Sequence, residues 1–184
     1  MALMQSNMQL EKGAKAPGFS LRNVVDDKVV KLSDFNGKPV LVIFMCNHCP
    51  YVKPKLEEIG RLGKEYLGKV AVVGISSNDP KTVAEDGPEE MKKVAAKFGL
   101  RYYLFDEAQE AARAYGATCT PDPFLFDKEH TLVFHGRLND ALNPDDTPKK
   151  HVMREKIDAM LAGKKIDEWF LPSMGCSIKW KTMI

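Results

Sequence analysis

Two cysteines at the end of an apolar run constrain this chain more than any other feature. The run Pro39–Met45 is apolar throughout, and Cys46-Asn47-His48-Cys49-Pro50 follows it directly. A strand that is apolar on both faces is typical of the centre of an α/β sheet, where helices cover it from both sides. Apolar residues then recur at helical spacing between Val52 and Tyr66, which predicts a helix after the cysteines.

The position of this dithiol predicts redox chemistry. Amide groups at a helix N-terminus stabilise a nearby anion, and the thiolate is the form of cysteine that attacks a disulfide or a peroxide. We therefore expect Cys46, at the start of the helix, to be the nucleophile. Cys49 is expected to be the resolving thiol that closes a disulfide with it. The alternatives are a buried pair of structural cysteines and half of a zinc site.

Composition and charge limit the classes of partner. Lys and Arg total 27 against 25 for Asp and Glu, and no polybasic run is present, so we expect no nucleic-acid partner. Residues 1–15 lack the apolar stretch of a signal peptide, and 39–45 is too short to span a membrane. We therefore expect a cytoplasmic protein with no membrane partner. In that compartment a Cys-x-x-Cys is more often catalytic or metal-binding than structural.

Alternating strand and helix patterns predict the fold class. The order hairpin, β, α, β, α, β, α, β, β, α implies an α/β protein with a central mixed β-sheet flanked by helices. Val24–Val30 is predicted to form an N-terminal hairpin. A capping box from Asp106 to Gln109 is predicted to open one helix, and Thr147-Pro148 to open the last one.

The chain length is typical of one domain, and we expect residues 1–184 to form a single one. Its core is about residues 14–162. The tail, 164–184, contains Trp169 and Trp180, which predict that it packs on the body of the protein.

Five segments resemble the thioredoxin superfamily. They are Ala16–Leu21, Val30–Val40, the dithiol Cys46–Cys49, Pro54 five residues beyond it, and Tyr115–Pro121. The closest resemblance is to the branch shared by peroxiredoxin-like proteins (alkyl hydroperoxide reductase/thiol-specific antioxidant) and the thioredoxins of cytochrome maturation. It implies a thioredoxin-like fold and a thiol-disulfide oxidoreductase activity.

The chain departs from that family at two positions next to the dithiol. Met45 stands where thioredoxins often have a tryptophan before the first cysteine. Val40 stands where they often have a buried acid. The strand therefore offers no proton acceptor for the second cysteine.

The resemblance also implies roles for neighbouring residues. Thr120-Pro121 falls where the family carries a cis-proline, so we expect a cis bond there and a Thr120 backbone able to pair with a substrate strand. His48 is expected to stabilise the Cys46 thiolate, as an imidazolium or a hydrogen-bond donor. The reduction potential should then exceed the roughly −270 mV of thioredoxin. A solvent-facing loop histidine is the alternative.

Two further cysteines are candidate auxiliary thiols. Cys119 lies two residues before Pro121, and Cys176 would approach the dithiol if the aromatic tail folds back over it. The alternative for each is a small buried residue with no redox role.

Thiol-disulfide exchange is the function that these patterns favour. The expected partners are protein or small-molecule disulfide substrates and a thiol electron donor, with no cofactor and no assigned metal ligands. The first alternative is a thiol peroxidase, because peroxiredoxins align their reactive cysteine with Cys49. A second is zinc or copper binding by Cys46 and Cys49 with a histidine or another cysteine. A third is an interaction module without catalysis.

Overall fold

The structure is a computed structural model that describes residues 2–182. An eight-stranded mixed sheet lies at its centre. Its strand order is β10-β9-β8-β4-β5-β6-β2-β3, and a second sheet has the order β1-β11-β7. The strands are β1 (Leu3–Gln5), β2 (Ser20–Asn23), β3 (Val29–Lys31), β4 (Val40–Phe44), β5 (Ala71–Ser76), β6 (Tyr102–Phe105), β7 (Cys119–Thr120), β8 (Asp122–Phe126), β9 (Leu132–Gly136), β10 (Phe170–Leu171) and β11 (Met174–Ser177).

Helices cover both faces of the large sheet. The helices are α1 (Leu56–Glu65), α2 (Pro88–Phe98), α3 (Glu110–Tyr115) and α4 (Val152–Leu161), with 3₁₀ helices at Leu32–Phe35, Lys53–Lys55 and Ala84–Asp86. The fold is thioredoxin-like, as expected. No helix within residues 2–182 is long and apolar enough to cross a membrane.

Strand β4 is buried along its whole length and lies between β5, which is parallel to it, and β8, which is antiparallel. Its side chains alternate between two apolar clusters. Leu41 and Ile43 pack with residues of α1, α2 and α4, whereas Val40, Val42 and Phe44 pack with residues of α3. This double burial explains why the sequence of the strand has no polar face.

The N-terminal hairpin is present, but its first strand lies earlier in the chain than expected. Strands β2 and β3 pair antiparallel with Leu21 opposite Val30. Val24 therefore lies in the connection and not in a strand. Its backbone amide bonds the Tyr103 carbonyl oxygen of β6, which places it against the large sheet.

The predicted capping box is wrong. Helix α3 begins at Glu110, and Gln109 has a left-handed backbone with no side-chain cap. The Asp106 carboxylate instead accepts hydrogen bonds from the amides of Ala111 and Ala112. The amide group of Gln109 donates to the carbonyl oxygen of Lys179 in the tail.

The last helix begins later than predicted. Helix α4 starts at Val152, four residues beyond Pro148. The intervening segment is a loop because the carboxylate of Asp140 accepts from the amides of Lys149 and Lys150. Those amides are therefore bonded outside the helix.

The tail packs on the body through both sheets, as predicted. Strand β10 pairs parallel with β9, and β11 lies between β1 and β7, antiparallel to both. Near its end, the guanidinium of Arg113 lies 4.5 Å from the ring centre of Trp180. Residues 183 and 184 lie outside the described part of the chain.

Gly175 allows β11 to approach β7 closely. A Cβ atom at this position would lie 1.8 Å from the carbonyl oxygen of Thr120, and backbone atoms cannot move aside as a flexible side chain can. Any side chain here must therefore push the two strands apart.

We predict that Gly175→Ala lowers the free energy of unfolding by about 1–3 kcal/mol, the usual cost of overpacking. The matched control is Gly63→Ala in α1, where an added Cβ meets nothing within 4 Å. That change should stabilise the protein by about 0.5–1 kcal/mol, since alanine favours a helix interior. Urea denaturation of both variants checks the prediction, and equal effects at the two glycines would contradict it.

Candidate active site

The dithiol lies in the connection between β4 and the first helical turns. The Cys49 carbonyl oxygen accepts from the amides of Val52 and Lys53, both at 3.0 Å, so helical bonding begins at Cys49. The 3₁₀ helix Lys53–Lys55 and then α1 follow. The expectation that Cys46 lies at the helix N-terminus is therefore wrong, because residues 46–49 form a non-helical loop. Cys49 holds that position.

Asp86 fixes the shape of this loop. Its Oδ1 accepts from the backbone amides of Asn47 at 2.8 Å and His48 at 3.1 Å. Its Oδ2 bonds the side-chain amide of Asn78 at 2.8 Å and lies 2.5 Å from His48 Nδ1. The carboxylate is fully buried. One side chain from the segment after β5 therefore organises the residues between the two cysteines.

Sequence reasoning did not find Asp86. Its only signal is its place in a polar segment after a buried strand, at the edge of the sheet where the dithiol was expected. That segment contains several acidic and amide side chains, and the pattern does not say which of them turns inward.

His48 pairs with Asp86 and not with a sulfur atom. Its side chain is 8 % exposed, so it is not the solvent-facing histidine of the alternative interpretation. Its Nε2 is buried without a hydrogen-bond partner among the described residues. Stabilisation of a Cys46 thiolate through a direct hydrogen bond is therefore not what this arrangement provides.

Thr120 contacts both sulfurs of the dithiol. Its hydroxyl oxygen lies 3.3 Å from Cys46 Sγ, and its carbonyl oxygen lies 3.2 Å from Cys49 Sγ. The Thr120-Pro121 peptide bond is cis, which confirms the expectation from the family resemblance. The backbone before this proline thus faces the dithiol.

The expectation that the Thr120 backbone is open to a substrate strand is wrong for this structure. Strand β11 pairs antiparallel with β7, with Cys176 opposite Thr120 and Ser177 opposite Cys119. The tail of the chain therefore occupies the edge at which a substrate strand would add. Cys46 and Cys49 are fully buried beneath it.

Hydrogen bonds favour the thiolate form of Cys49 over that of Cys46. The Cys46 thiol donates to Cys49 and lowers its pKa to about 5, with help from the side chain and backbone of Cys176 and against the effect of burial. The carbonyl contact from Thr120 favours the thiol form, but these donors outweigh it. The same bond to Cys49, together with burial and the Asp86 charge, raises the pKa of Cys46.

The expectation from the sequence that Cys46 carries the thiolate stays a prediction, and these pKa directions favour Cys49 instead. Two features explain the difference. Helical bonding begins at Cys49, and the acidic side chain that shapes the loop lies near Cys46. Neither is visible in the Cys-x-x-Cys spacing.

A buried network of charged side chains lies near Cys49. Strand β4 has no acidic side chain that could serve as a proton acceptor for this cysteine. Lys55 is 5 % exposed, and its Nζ donates to the Ala141 carbonyl oxygen at 3.0 Å. Burial lowers the pKa of Lys55, while the nearby charges of Glu58 and Cys49 oppose that shift. Glu58 is buried as well and accepts from His151 Nδ1 at 2.8 Å. The positive charge of Lys55 thus favours a negative charge on Cys49.

The two auxiliary cysteines occupy different environments. The Cys119 sulfur lies 3.9 Å from the Pro121 carbonyl oxygen, and burial raises its pKa. Cys176 contacts Cys49, and burial with that hydrogen bond raises the pKa of Cys176 to about 12. None of these four cysteines, all within residues 2–182, forms a disulfide in the structure. Only Cys176 joins the dithiol directly.

One set of side chains near the dithiol could hold a metal ion. Ligand atoms of Cys46, His48 and Asp86 lie within 4.8 Å of one another. This set differs from the one anticipated from sequence, because it includes Asp86 and leaves out Cys49. The three atom types, one sulfur, one nitrogen and one oxygen, are those that zinc accepts.

Comparison with known proteins agrees with the geometry. The family model of the AhpC/TSA family matches residues 12–135. The chain belongs to the AhpC/TSA family. It is 26 % identical over 123 residues to the thioredoxin-like protein YneN of Bacillus subtilis, covering 67 % of this chain and 69 % of that protein. It is 28 % identical over 155 residues to a chloroplastic peroxiredoxin Q of Gentiana triflora, covering 78 % of this chain and 64 % of that protein.

Among solved structures, the similarity of this AhpC/TSA member also includes the tail. An uncharacterized conserved protein from Geobacillus kaustophilus is 43 % identical, with a TM-score of 0.93, and the match covers 100 % of this chain and 99 % of that one. A putative thiol:disulfide interchange protein DsbE from Chlorobium tepidum is 26 % identical, with a TM-score of 0.65, over 83 % of this chain and 99 % of that one. Fold and family are thus those of thiol-dependent redox proteins.

We predict that absorbance near 240 nm, which reports thiolate, rises with pH through a midpoint near 5 in the reduced protein. Cys49→Ser should abolish this transition. Cys46→Ala should move the midpoint toward the ordinary thiol value of about 8.5, because it removes the main donor. Cys119→Ser is the control and should leave the midpoint in place. A transition that survives Cys49→Ser but not Cys46→Ala would put the thiolate on Cys46.

Proposed function

We propose that this protein is a thiol-disulfide oxidoreductase whose Cys46–Cys49 dithiol exchanges disulfides with protein or small-molecule substrates. The observation that carries the proposal is that the Cys46 and Cys49 sulfurs both contact Thr120, directly before a cis-proline. A pair that shares one proton keeps one sulfur nucleophilic near neutral pH. Names of similar proteins, including that of the putative DsbE, support the same chemistry.

The charge distribution favours Cys49 as the attacking sulfur. Its thiolate attacks one sulfur of a substrate disulfide, the S–S bond breaks, and the departing substrate thiolate takes up a proton. Cys46 then loses its proton and attacks Cys49 in the mixed disulfide, which releases the second substrate thiol. The substrate gains two electrons, and the protein is left with a Cys46–Cys49 disulfide.

A thiol electron donor would return the protein to its dithiol form by the reverse exchange, and the cycle requires no cofactor. We also propose a cytoplasmic location, since thiol donors there keep such pairs reduced. The assignment of Cys46 as the nucleophile, made from sequence, is the competing proposal for the order of attack.

Access to the dithiol requires β11 to leave β7. Both sulfurs are fully buried, and thiol exchange depends on contact between the reacting sulfurs. Once the tail has moved, the backbone of Cys119–Thr120 presents an unpaired edge. An extended segment of a substrate protein can then add there as a strand, which is the recognition mode that the sequence predicted.

We predict that Cys46→Ser accumulates mixed disulfides through Cys49, because the resolving thiol is missing. Cys49→Ser is the matched variant and should accumulate far fewer. Non-reducing electrophoresis and mass spectrometry of trapped species measure both. Accumulation in Cys49→Ser instead would restore Cys46 as the nucleophile. If neither variant traps a partner and the wild type reduces no insulin, the proposed function is wrong.

The Cys49 thiolate also supports a second candidate, a thiol peroxidase of the peroxiredoxin type. Cys49-Pro50 aligns with the reactive position of those enzymes, and peroxiredoxin Q is among the similar proteins. Under our proposal, wild-type protein should consume hydrogen peroxide no faster than an ordinary thiol of the same pKa. Fast stoichiometric consumption, with a sulfenic acid on Cys49 detected by dimedone labelling and mass spectrometry, would favour the peroxidase.

A further inference from the structure

We propose that Cys176 is a third redox thiol of this site and that β11 is an internal substrate strand that holds it against Cys49. The inference rests on the proposed exchange activity and adds a second, intramolecular partner to it. Its evidence is the backbone pairing of the tail, the hydrogen bonds that hold the tail on both sides of Cys176, and the position of the Cys49 sulfur between those of Cys46 and Cys176.

Backbone pairing places Cys176 beside the dithiol. It lies opposite Thr120 in the antiparallel pair β7–β11, and side chains opposite each other in such a pair have Cβ atoms about 4.5–5.5 Å apart. Thr120 is the residue whose hydroxyl and carbonyl oxygens contact Cys46 and Cys49. The tail therefore brings a cysteine to the position that a substrate strand would reach beside the cis-proline.

Hydrogen bonds hold the tail on both sides of Cys176 along the chain. Before it, the amide of Ser6 donates to the Ser173 carbonyl oxygen at 3.0 Å. The amide of Ser177 donates to the Ala2 carbonyl oxygen, and the amide of Ile178 donates to the Thr118 carbonyl oxygen, both at 3.1 Å. The Lys179 carbonyl oxygen accepts from the Asp79 amide at 2.9 Å. Cys176 is 3 % exposed within this arrangement. A strand anchored this closely gives its cysteine a defined position.

The cysteines of the paired strands differ in where their sulfurs lie. Cys119 precedes Thr120 in β7, yet its sulfur lies near the Pro121 carbonyl oxygen. Cys176 and Cys49 lie in the same buried cluster, and hydrogen bonds from the side chain and backbone of Cys176 lower the pKa of Cys49. Cys49 is thus the central sulfur, with Cys46 as one partner and Cys176 as the other. A disulfide bond to Cys49 can therefore pass from Cys46 to Cys176.

The exchange step conserves electrons. Beginning from the Cys46–Cys49 disulfide, Cys176 loses its proton and its thiolate attacks the Cys49 sulfur. A Cys49–Cys176 bond forms, the Cys46–Cys49 bond breaks, and the released Cys46 thiolate takes up a proton. The product ties β11 covalently to the dithiol loop at Cys49, which keeps β11 paired with β7 and excludes external substrates until a thiol donor reduces the bond.

Disulfide mapping after oxidation with diamide tests the inference directly. The Lys-Pro bonds after Lys38 and Lys53 resist trypsin, so Cys49 is released within residues 32–55. Cys176 is released in a separate peptide, residues 166–179. Oxidised Cys46→Ala should yield these two peptides joined by a Cys49–Cys176 disulfide. The same variant carrying Cys119→Ser as a control should yield the same product.

Three results would overturn the inference. One is a folded, oxidised Cys46→Ala protein in which Cys49 and Cys176 both remain open to alkylation after denaturation. Another is a wild-type map that contains only the Cys46–Cys49 disulfide, and this measurement decides the question if Cys46→Ala does not fold. The third is a Cys49–Cys119 disulfide in place of Cys49–Cys176, which would place the third redox thiol on β7 and not on β11.

Insulin reduction separates this inference from the proposed function. Cys176→Ser should form only the Cys46–Cys49 disulfide and should reduce insulin faster than the wild type, because β11 can no longer be fixed covalently. If the wild type and Cys176→Ser reduce insulin at equal rates and no Cys49–Cys176 bond forms, the inference fails while the proposed function stands. If that bond forms but no external disulfide is reduced, the proposed function fails instead.

Discussion

The antiparallel pairing of β11 with β7 determines what the dithiol can contact. Thr120 touches both sulfurs on one side, and its backbone pairs with the tail on the other. This single strand pair covers the dithiol, and its Cys176 lowers the pKa of Cys49 and places a third sulfur beside it. Gly175 makes the pairing possible, since the carbonyl oxygen of Thr120 occupies the space that a Cβ would need.

The local parts of this site follow from the sequence, and the non-local parts do not. A buried strand followed by Cys-x-x-Cys is enough to predict the sheet centre and the dithiol. The cis bond before Pro121 is predicted by the resemblance to the thioredoxin superfamily. The position of the thiolate depends on donors from Cys46 and Cys176, the second of them far along the chain. Periodicity and spacing carry no information about such contacts.

Two expectations from the sequence, for Gln109 and for Thr120, are wrong for the same physical reason. Gln109 was expected to cap a helix, but its amide group bonds the tail carbonyl of Lys179. Thr120 was expected to present a free edge, but the tail pairs with it. In both cases a strong local pattern is satisfied by a segment more than fifty residues away. Aromatic residues predicted that the tail packs on the body, and they could not indicate where.

The position of β11 within its own sheet has a mechanical consequence. It is the central strand, with β1 on one edge and β7 on the other, and Leu3 lies opposite Cys176. Separation from β7 can therefore leave the bonds to β1 intact. The element that uncovers the dithiol would then be a two-stranded ribbon built from both ends of the chain, which swings as a flap and keeps one ladder of backbone bonds while it does so.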